Sequence, residues 1–343
     1  MELSIGIVGL PNVGKSTLFN ALTRKEVLIA NYPFATIDPS VGVVAVPDPR
    51  LEKLTQISAS AKTVPAVVEF VDIAGLVKGA SEGAGLGNQF LQHIREVNAI
   101  AEVVRIFDDG DITHVDGEID PVRDIEVINL ELVLADLQTV AKRLQSVERD
   151  AKRGDKAAVL EQIALKKAAD VLEAGKLAVS AKLSDEEGLA IKGLQLLTMK
   201  PIMYVLNKKA GGHNLDEMKD PRYERLVEFL TDLGATYTTV DAAIEGELNE
   251  VSQEDKQTFR QEYGVFNDGV DDLIRSAYSL LGLQSYFTTG PDETRAWTIR
   301  VGATAPEAGQ AIHTDFKDKF IRAEVVSYEQ LIEAGSMAAA REK

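Results

Sequence analysis

The octapeptide Gly9-Leu10-Pro11-Asn12-Val13-Gly14-Lys15-Ser16 constrains this chain more than any other stretch. It matches G-x-x-x-x-G-K-[ST], follows the apolar run Leu3–Val8 and precedes Thr17–Leu22, which has helical character. A strand, a glycine-rich turn and a helix in that order form an anion-binding corner. The first N–H groups of the helix have no intrahelical partner and point at whatever occupies the turn. The backbone of Asn12, Val13, Gly14, Lys15, Ser16 and Thr17 is the candidate phosphate cradle. Lys15 would reach the β- and γ-phosphate oxygens and assist the transfer, and the Ser16 hydroxyl would ligate Mg2+. Asn12 could help seat a monovalent cation such as K+ against the phosphates.

Such a corner belongs to a layered α/β fold. Further β-branched runs at Val41–Val46, Val67–Asp72 and Val103–Phe107 alternate with helical stretches, and Pro201–Leu206 adds one more far downstream. That alternation predicts a mostly parallel sheet with helices on both faces. Asp72 ends one run and opens Asp72-Ile73-Ala74-Gly75. An aspartate there is placed to hold a metal, directly or through water, and Gly75 to offer its N–H to a γ-phosphate. Between the two motifs lies a polar loop, Asn31–Ser40, with Thr36 available to complete the magnesium shell. Together these elements predict a P-loop NTPase with switch regions.

The long gap before Pro201 predicts an insertion over 128–195 inside a nucleotide-binding part spanning 1–280. Leu130, Val133, Leu137, Val140, Leu144 and Val147 form an a/d seam, Gly154 interrupts it, and Leu160, Ala164, Ala168 and Val171 resume it. The pattern reads as an antiparallel helical hairpin arm, with Arg153-Gly154-Asp155 as its turn. From about 281 onward, Tyr286–Phe287, Trp297–Ile299, Phe320–Ile321 and Val325–Val326 are short β-prone runs, predicting a small β-rich module over 281–343.

Charge and cysteine content remove several classes of function. With 37 Lys and Arg against 54 Asp and Glu the chain carries −17, so bulk charge does not hold it to nucleic acid or an anionic membrane. The arm differs: acids and bases balance there, and Lys142, Arg143, Arg149, Lys152, Arg153 and Lys156 cluster at its tip against Glu148, Asp150 and Asp155. That tip is a candidate RNA contact. No cysteine is present, which excludes disulfides, thiol catalysis and Cys-ligated metal centres. No apolar run approaches the ~18 residues of a membrane span. Met1-Glu2-Leu3-Ser4 has no basic leader, so a cytoplasmic location with no membrane partner is expected.

The runs GLPNVGKST, NYPFATIDP and DIAGLVKGASEGAGLGNQFL together resemble the Obg-like ATPase family, the YchF subfamily of the translation-factor-related GTPases. The resemblance extends through the insertion into RAWTIRVGATAP and IHTDFKDKFIRAEVVSY, which look like that family's C-terminal TGS domain. It implies an ATP-hydrolysing cytoplasmic protein that associates with the ribosome and takes part in stress responses. The family's TGS domain normally continues beyond the point where this sequence stops, so either the sequence is truncated or the module lacks its last strands; an incomplete sheet would leave an exposed edge.

Base selection and water activation are the places where the sequence departs from known patterns. GTPases of this class read guanine with N-K-x-D, whose aspartate accepts from guanine N1–H and the exocyclic amine, at about 1.5–3 kcal/mol for each bond to a charged group. Here Asn207-Lys208-Lys209-Ala210 keeps the asparagine and lysine and loses the carboxylate. Adenine presents an acceptor at N1, which an aspartate would oppose, so its loss relaxes selection towards ATP. The resembled family has N-x-x-E, which Ala210 also breaks; Asp216 or Glu217 could loop back to compensate. ATP is favoured by the resemblance, with GTP second. Leu76 stands where glutamine-dependent GTPases orient the attacking water, and leucine cannot hydrogen-bond to it, so slow turnover is expected. The resemblance points to His114 as the substitute, a residue type suited to water orientation near neutral pH. An ATPase switch, a GTPase of the same fold and a nucleotide-ordered interaction protein with incidental turnover all fit these residues.

Overall fold

The computed structural model describes residues 3–24, 40–73, 85–109, 119–262 and 269–342. The chain begins with β1 (Ser4–Val8), α1 (Lys15–Arg24), β2 (Val41–Ala45), α2 (Pro49–Ser58), β3 (Thr63–Val64) and β4 (Val67–Asp72). It continues with α3 (Gly85–Glu96), β5 (Ala99–Arg105), β6 (Phe107–Asp108), α4 (Pro121–Lys152) and α5 (Lys156–Glu173). Next come α6 (Asp185–Ile191), β7 (Ile202–Asn207), β8 (His213–Asn214), α7 (Pro221–Asp232), β9 (Thr236–Val240) and α8 (Ala242–Leu248). The remainder is α9 (Gln253–Glu262), α10 (Gly269–Leu280), β10 (Leu283–Thr289), β11 (Thr294–Arg300), α11 (Ala305–Ile312), α12 (Asp315–Asp318), α13 (Tyr328–Ala334) and α14 (Met337–Glu342).

A six-stranded sheet in the order β2-β4-β1-β5-β7-β9 organises the molecule. Every pairing in it is parallel except β2 with β4, whose antiparallel register sets Val43 opposite Glu69. Ile5, Ile7 and Phe70 on its central strands are fully buried on the face that α1 covers with Leu18 and Leu22, and Ile100 is fully buried on the opposite face. Central strands covered on both faces need apolar residues at consecutive positions, and β5 is buried at all seven of its residues. The strand starts at Ala99, so the Val103–Phe107 run of the sequence is only its second half together with β6. Parallel pairing also places the carboxyl ends of β1, β4, β5, β7 and β9 on one edge of the sheet, the side on which such folds bind ligands.

The insertion is a helical hairpin whose first helix is shared. Asp120 caps α4 by accepting from the Arg123 N–H at 3.2 Å, and Pro121 occupies its first turn. The opening turns bury Val122, Ile125, Ile128 and Leu132 against the sheet, and beyond them Val133, Val140 and Val147 face α5. Leu130 is 52% exposed and stands outside the seam that the sequence assigned to it. The buried face of α5 is Ala164, Leu165, Ala168, Ala169 and Leu172, so Leu160 and Val171 sit at its margins. Small residues there let the helices approach closely. The turn lies where expected: Gly154 adopts φ 85°, and Asp155 caps α5 at the Ala158 N–H. At the base, the buried Asp136 carboxylate accepts from the backbone N–H of Leu197 and Thr198 and from the Thr198 hydroxyl, at 2.6–2.9 Å.

The C-terminal module departs most from expectation. Its β10–β11 hairpin forms a three-stranded sheet only by pairing β11 in parallel with β3, a strand from the first part of the chain. Ser60 reinforces the junction through the Gly290 carbonyl and the Thr294 hydroxyl. Phe320–Ile321 and Val325–Val326 are not strands; they lie in an irregular segment between α12 and α13. The module is therefore less β-rich than its β-branched residues suggest. β-propensity becomes a strand only beside another edge.

Glu102 is a conspicuous buried acid on β5. It is 1% exposed, neither carboxylate oxygen has a hydrogen-bond partner, and its strand neighbour is Tyr204. Burial, reinforced by the Asp124 carboxylate on α4, pushes its pKa well above the ordinary range. The native state then keeps a proton that the unfolded chain releases above about pH 4.3, so stability falls as pH rises from that value through the folded pKa. Glu102→Gln should remove this slope. Urea unfolding from pH 5 to 9 should show wild type losing stability relative to the variant, and parallel profiles would contradict the assignment.

Candidate functional site

The turn between β1 and α1 is a formed phosphate loop. Asn12 takes a left-handed φ of 64° and Gly14 a φ of 99°. Gly14 is needed for a second reason: a Cβ there would lie 2.2 Å from Asn207 Nδ2. Val13 is 1% exposed with its side chain in the core, so it contributes through its main chain. Ser16 and Thr17 are exposed in the first turn of α1, whose hydrogen bonding begins with Leu18 N–H donating to the Gly14 carbonyl at 2.9 Å. The Lys15 ammonium folds back to donate to the Leu10 carbonyl at 2.8 Å. Burial lowers its pKa below the usual lysine value, opposed by the Asp72 carboxylate. A partly desolvated cation at a helix N-terminus is a strong electrostatic partner for phosphate oxygens.

Asp72, at the carboxyl end of β4, accepts a long hydrogen bond from Ser16 Oγ at 3.4 Å. The two proposed metal ligands thus meet across the mouth of the loop. Hydroxyl and carboxylate oxygens suit Mg2+, which is commonly held by one or two protein oxygens together with substrate phosphates and water. Among the described residues no cluster of three or more His, Asp or Glu side chains offers a denser metal site. Thr36, Gly75, Leu76 and His114 lie outside the described residues.

Asn207 ends β7, as its motif expects, and its side chain reaches the phosphate loop. It is 5% exposed; its Nδ2 donates to the Val13 carbonyl at 2.9 Å and its Oδ1 accepts from Ala242 N–H at 3.2 Å. The side chain fastens the phosphate loop to the exit of β9. Lys208 next to it is held by Asp216 at 2.8 Å and Glu217 at 2.6 Å, so both acids do loop back to this segment. They bind the lysine and do not replace the carboxylate missing at Ala210.

Two contributors were not singled out in the sequence. Asp241, 8% exposed, caps α8 at the Ala243 and Ile244 N–H groups and also accepts from Ala210 N–H. A capping aspartate directly after the Thr236–Val240 strand was the available signal. Arg105, 1% exposed at the end of β5, donates to the Phe107 carbonyl at 2.9 Å and stacks on the Phe107 ring. No local pattern marks it, because a buried arginine is intelligible only from its tertiary partners.

Comparison with known proteins agrees with this geometry. A family model described as a 50S ribosome-binding GTPase matches residues 4–136, and a YchF-type C-terminal model, described as a protein of unknown function, matches residues 283–343. The ribosome-binding ATPase YchF of Bacillus subtilis is 52% identical across all of this chain and 93% of its own length. The protein of the same name from Escherichia coli O157:H7 is 48% identical, covering 99% of this chain and 95% of its own. Among solved structures, the YchF GTPase of Schizosaccharomyces pombe superposes with a TM-score of 0.87 at 38% identity, over 99% of this chain and 92% of that one.

Removing the Asn207 amide tests the fastening. Asn207→Ala should cost about 1–3 kcal/mol, the range for stranding buried polar groups, and should weaken nucleotide binding as the phosphate loop loosens. Urea unfolding and a nucleotide titration read the two effects separately, and an unaltered affinity would confine Asn207 to stability.

Proposed function

The chain belongs to the YchF family, and from that membership we propose that it is a Mg2+-dependent ATPase that works as a nucleotide-gated switch on the ribosome in the cytoplasm. The observation carrying the proposal is the formed phosphate loop, with a partly desolvated Lys15 and Ser16 facing Asp72 across its mouth. The loop N–H groups and Lys15 bind the β- and γ-phosphates, and Ser16, Asp72 and Thr36 are the oxygens that hold the metal. Bound Mg2+ neutralises charge on the phosphate oxygens. Gly75 contacts the γ-phosphate, His114 orients the attacking water, and hydrolysis to ADP and phosphate is slow because Leu76 cannot hydrogen-bond to that water. Asn12 is the candidate K+ partner.

ATP is supported over GTP by the names of the bacterial relatives and by the base loop. Ala210 provides no side-chain acceptor for guanine N1–H, and the nearby Asp241 carboxylate is committed to three backbone N–H groups. GTP remains the second reading, favoured by the retained Asn207-Lys208 pair. Lys15→Ala should abolish detectable ATP binding and hydrolysis in a protein that still unfolds cooperatively. Retained affinity would refute the site.

For the ribosome we assign the arm tip as the RNA contact, with the TGS-like module as a second site. Lys152 pairs with Glu148 at 2.6 Å, and Arg153 with Asp150 at 3.5 Å, on side chains more than half exposed. Exposed pairs of this kind are worth about 0–1 kcal/mol, so a phosphate backbone can displace them. The tip would then bind without reading bases and with marked salt dependence. Reversing Arg149, Lys152 and Arg153 to glutamate should reduce ribosome co-sedimentation at low salt and leave ATP affinity intact. Co-sedimentation unaffected by either the reversal or added salt would move the contact elsewhere.

A further inference from the structure

We propose that Asn214 is the positioning residue of the base-reading loop, so that its side-chain amide, in place of a carboxylate at position 210, gives the loop the fixed shape with which it distinguishes purines. The inference rests on the nucleotide-binding reading of the Lys15 loop and goes beyond it by placing the source of base discrimination outside the four-residue motif.

Asn214 is 2% exposed and makes three bonds. Its Oδ1 accepts from Lys209 N–H at 2.9 Å, and its Nδ2 donates to the Lys209 carbonyl at 2.9 Å and to Glu217 Oε2 at 3.1 Å. The amide thus serves Lys209 as a neighbouring strand would, satisfying both of its backbone groups. Through Glu217, whose other oxygen holds the Lys208 ammonium at 2.6 Å, it also fixes the preceding side chain.

The clamp has a rigid support. The Asn214 backbone pairs with Phe107 across β6 and β8, Leu215 N–H donates to the Ile106 carbonyl at 2.9 Å, and buried Arg105 holds the Phe107 carbonyl. The Lys209 ammonium reaches Asp109, the residue directly after β6. On the opposite side, Asp241 holds Ala210 N–H, and Asn207 joins the phosphate loop. The segment 208–210 is therefore gripped from β8 and from the β9 exit, and Asn207 just before it is tied to the phosphate loop.

Rigidity matters here because the loop turns on two glycines. Gly211 and Gly212 come directly after Ala210, with Gly211 at φ 65°, and glycines lose more conformational freedom on ordering than any other residue. An aspartate or glutamate at position 210 would recognise a base through a strong, charged acceptor. Ala210 leaves backbone groups and the Lys208 stem, whose selectivity depends on being held in one orientation before the base arrives.

The test compares magnesium complexes of ATP, GTP and inorganic tripolyphosphate, the last occupying the phosphate loop without a base. In Asn214→Ala, tripolyphosphate affinity should stay within about twofold, while ATP affinity falls about tenfold and the ATP:GTP ratio moves towards unity, as expected for losing two or three hydrogen bonds that organise the loop. Equal weakening of all three ligands would overturn the proposal by making Asn214 merely structural, as would a wild-type ratio already at unity or an unchanged ratio. Glu217→Ala, at a more exposed position, keeps both Asn214 bonds to the Lys209 backbone and takes away one of the two carboxylates that hold Lys208, leaving Asp216. It should shift the ratio in the same direction by about threefold, on the scale of one hydrogen bond. An unmoved ratio in Glu217→Ala overturns the proposal even where Asn214→Ala fails to fold. Failure of the underlying site is distinguished by Lys15→Ala, which should abolish tripolyphosphate binding as well as ATP binding.

Discussion

The phosphate site depends on one buried amide. Asn207 leaves the end of β7, crosses beneath the loop after β1 and bonds at once to the Val13 carbonyl and the Ala242 N–H. A buried carboxamide tolerates little freedom, because each unsatisfied atom costs as much as the bond it would have made. Gly14 leaves the required space by having no Cβ. The loop conformation is thereby set by the protein itself, and Lys15, Ser16 and Asp72 take their places relative to it. Much of the ordering cost of gripping a triphosphate is met during folding.

Around this amide the two flanks of the site differ. On the β4 side Ser16 is exposed and meets Asp72 through a long hydrogen bond of 3.4 Å, an arrangement that a ligand can enter. On the β7 and β9 side, the side-chain charges of Lys208, Lys209, Arg222 and Asp241 are each held by partners within the protein. The open flank suits exchange of ligands for phosphate chemistry, and the closed flank suits a surface that must keep its shape. The arm is joined to the same framework, since α4 begins against the sheet and Asp136 rivets its middle to the returning chain.

Much of this was legible residue by residue. The phosphate loop, the position of Asp72 at a strand end and the hairpin turn at Gly154 are local patterns, and each appears where its pattern placed it. Leu130 misled because a heptad seam was extended over a stretch where α4 still packs on the sheet. Phe320–Val326 misled because β-branched residues register a preference for strands and carry no information about whether a neighbouring edge exists. Asp216 and Glu217 were visible as acids near the motif, yet their attachment to Lys208 required the return of the chain through β8.

The sequence by itself determined the phosphate loop, its cation, the alternation that makes a parallel sheet and the absence of a guanine-reading carboxylate at Ala210. These follow from residue types at short spacing, where backbone sterics and helix-end hydrogen bonding act locally. Tertiary structure decided that Asn207 would fasten one loop to another, that Asp241 would spend its charge on backbone groups, that β3 would complete the sheet of the C-terminal module and that Asn214 would shape the base loop. Those outcomes depend on strand order and register, which bring together groups as distant as Val13 and Asn207. The hydrogen-bonding capacity of a buried amide or carboxylate is written in the chain, but its partner is chosen only when the sheet assembles.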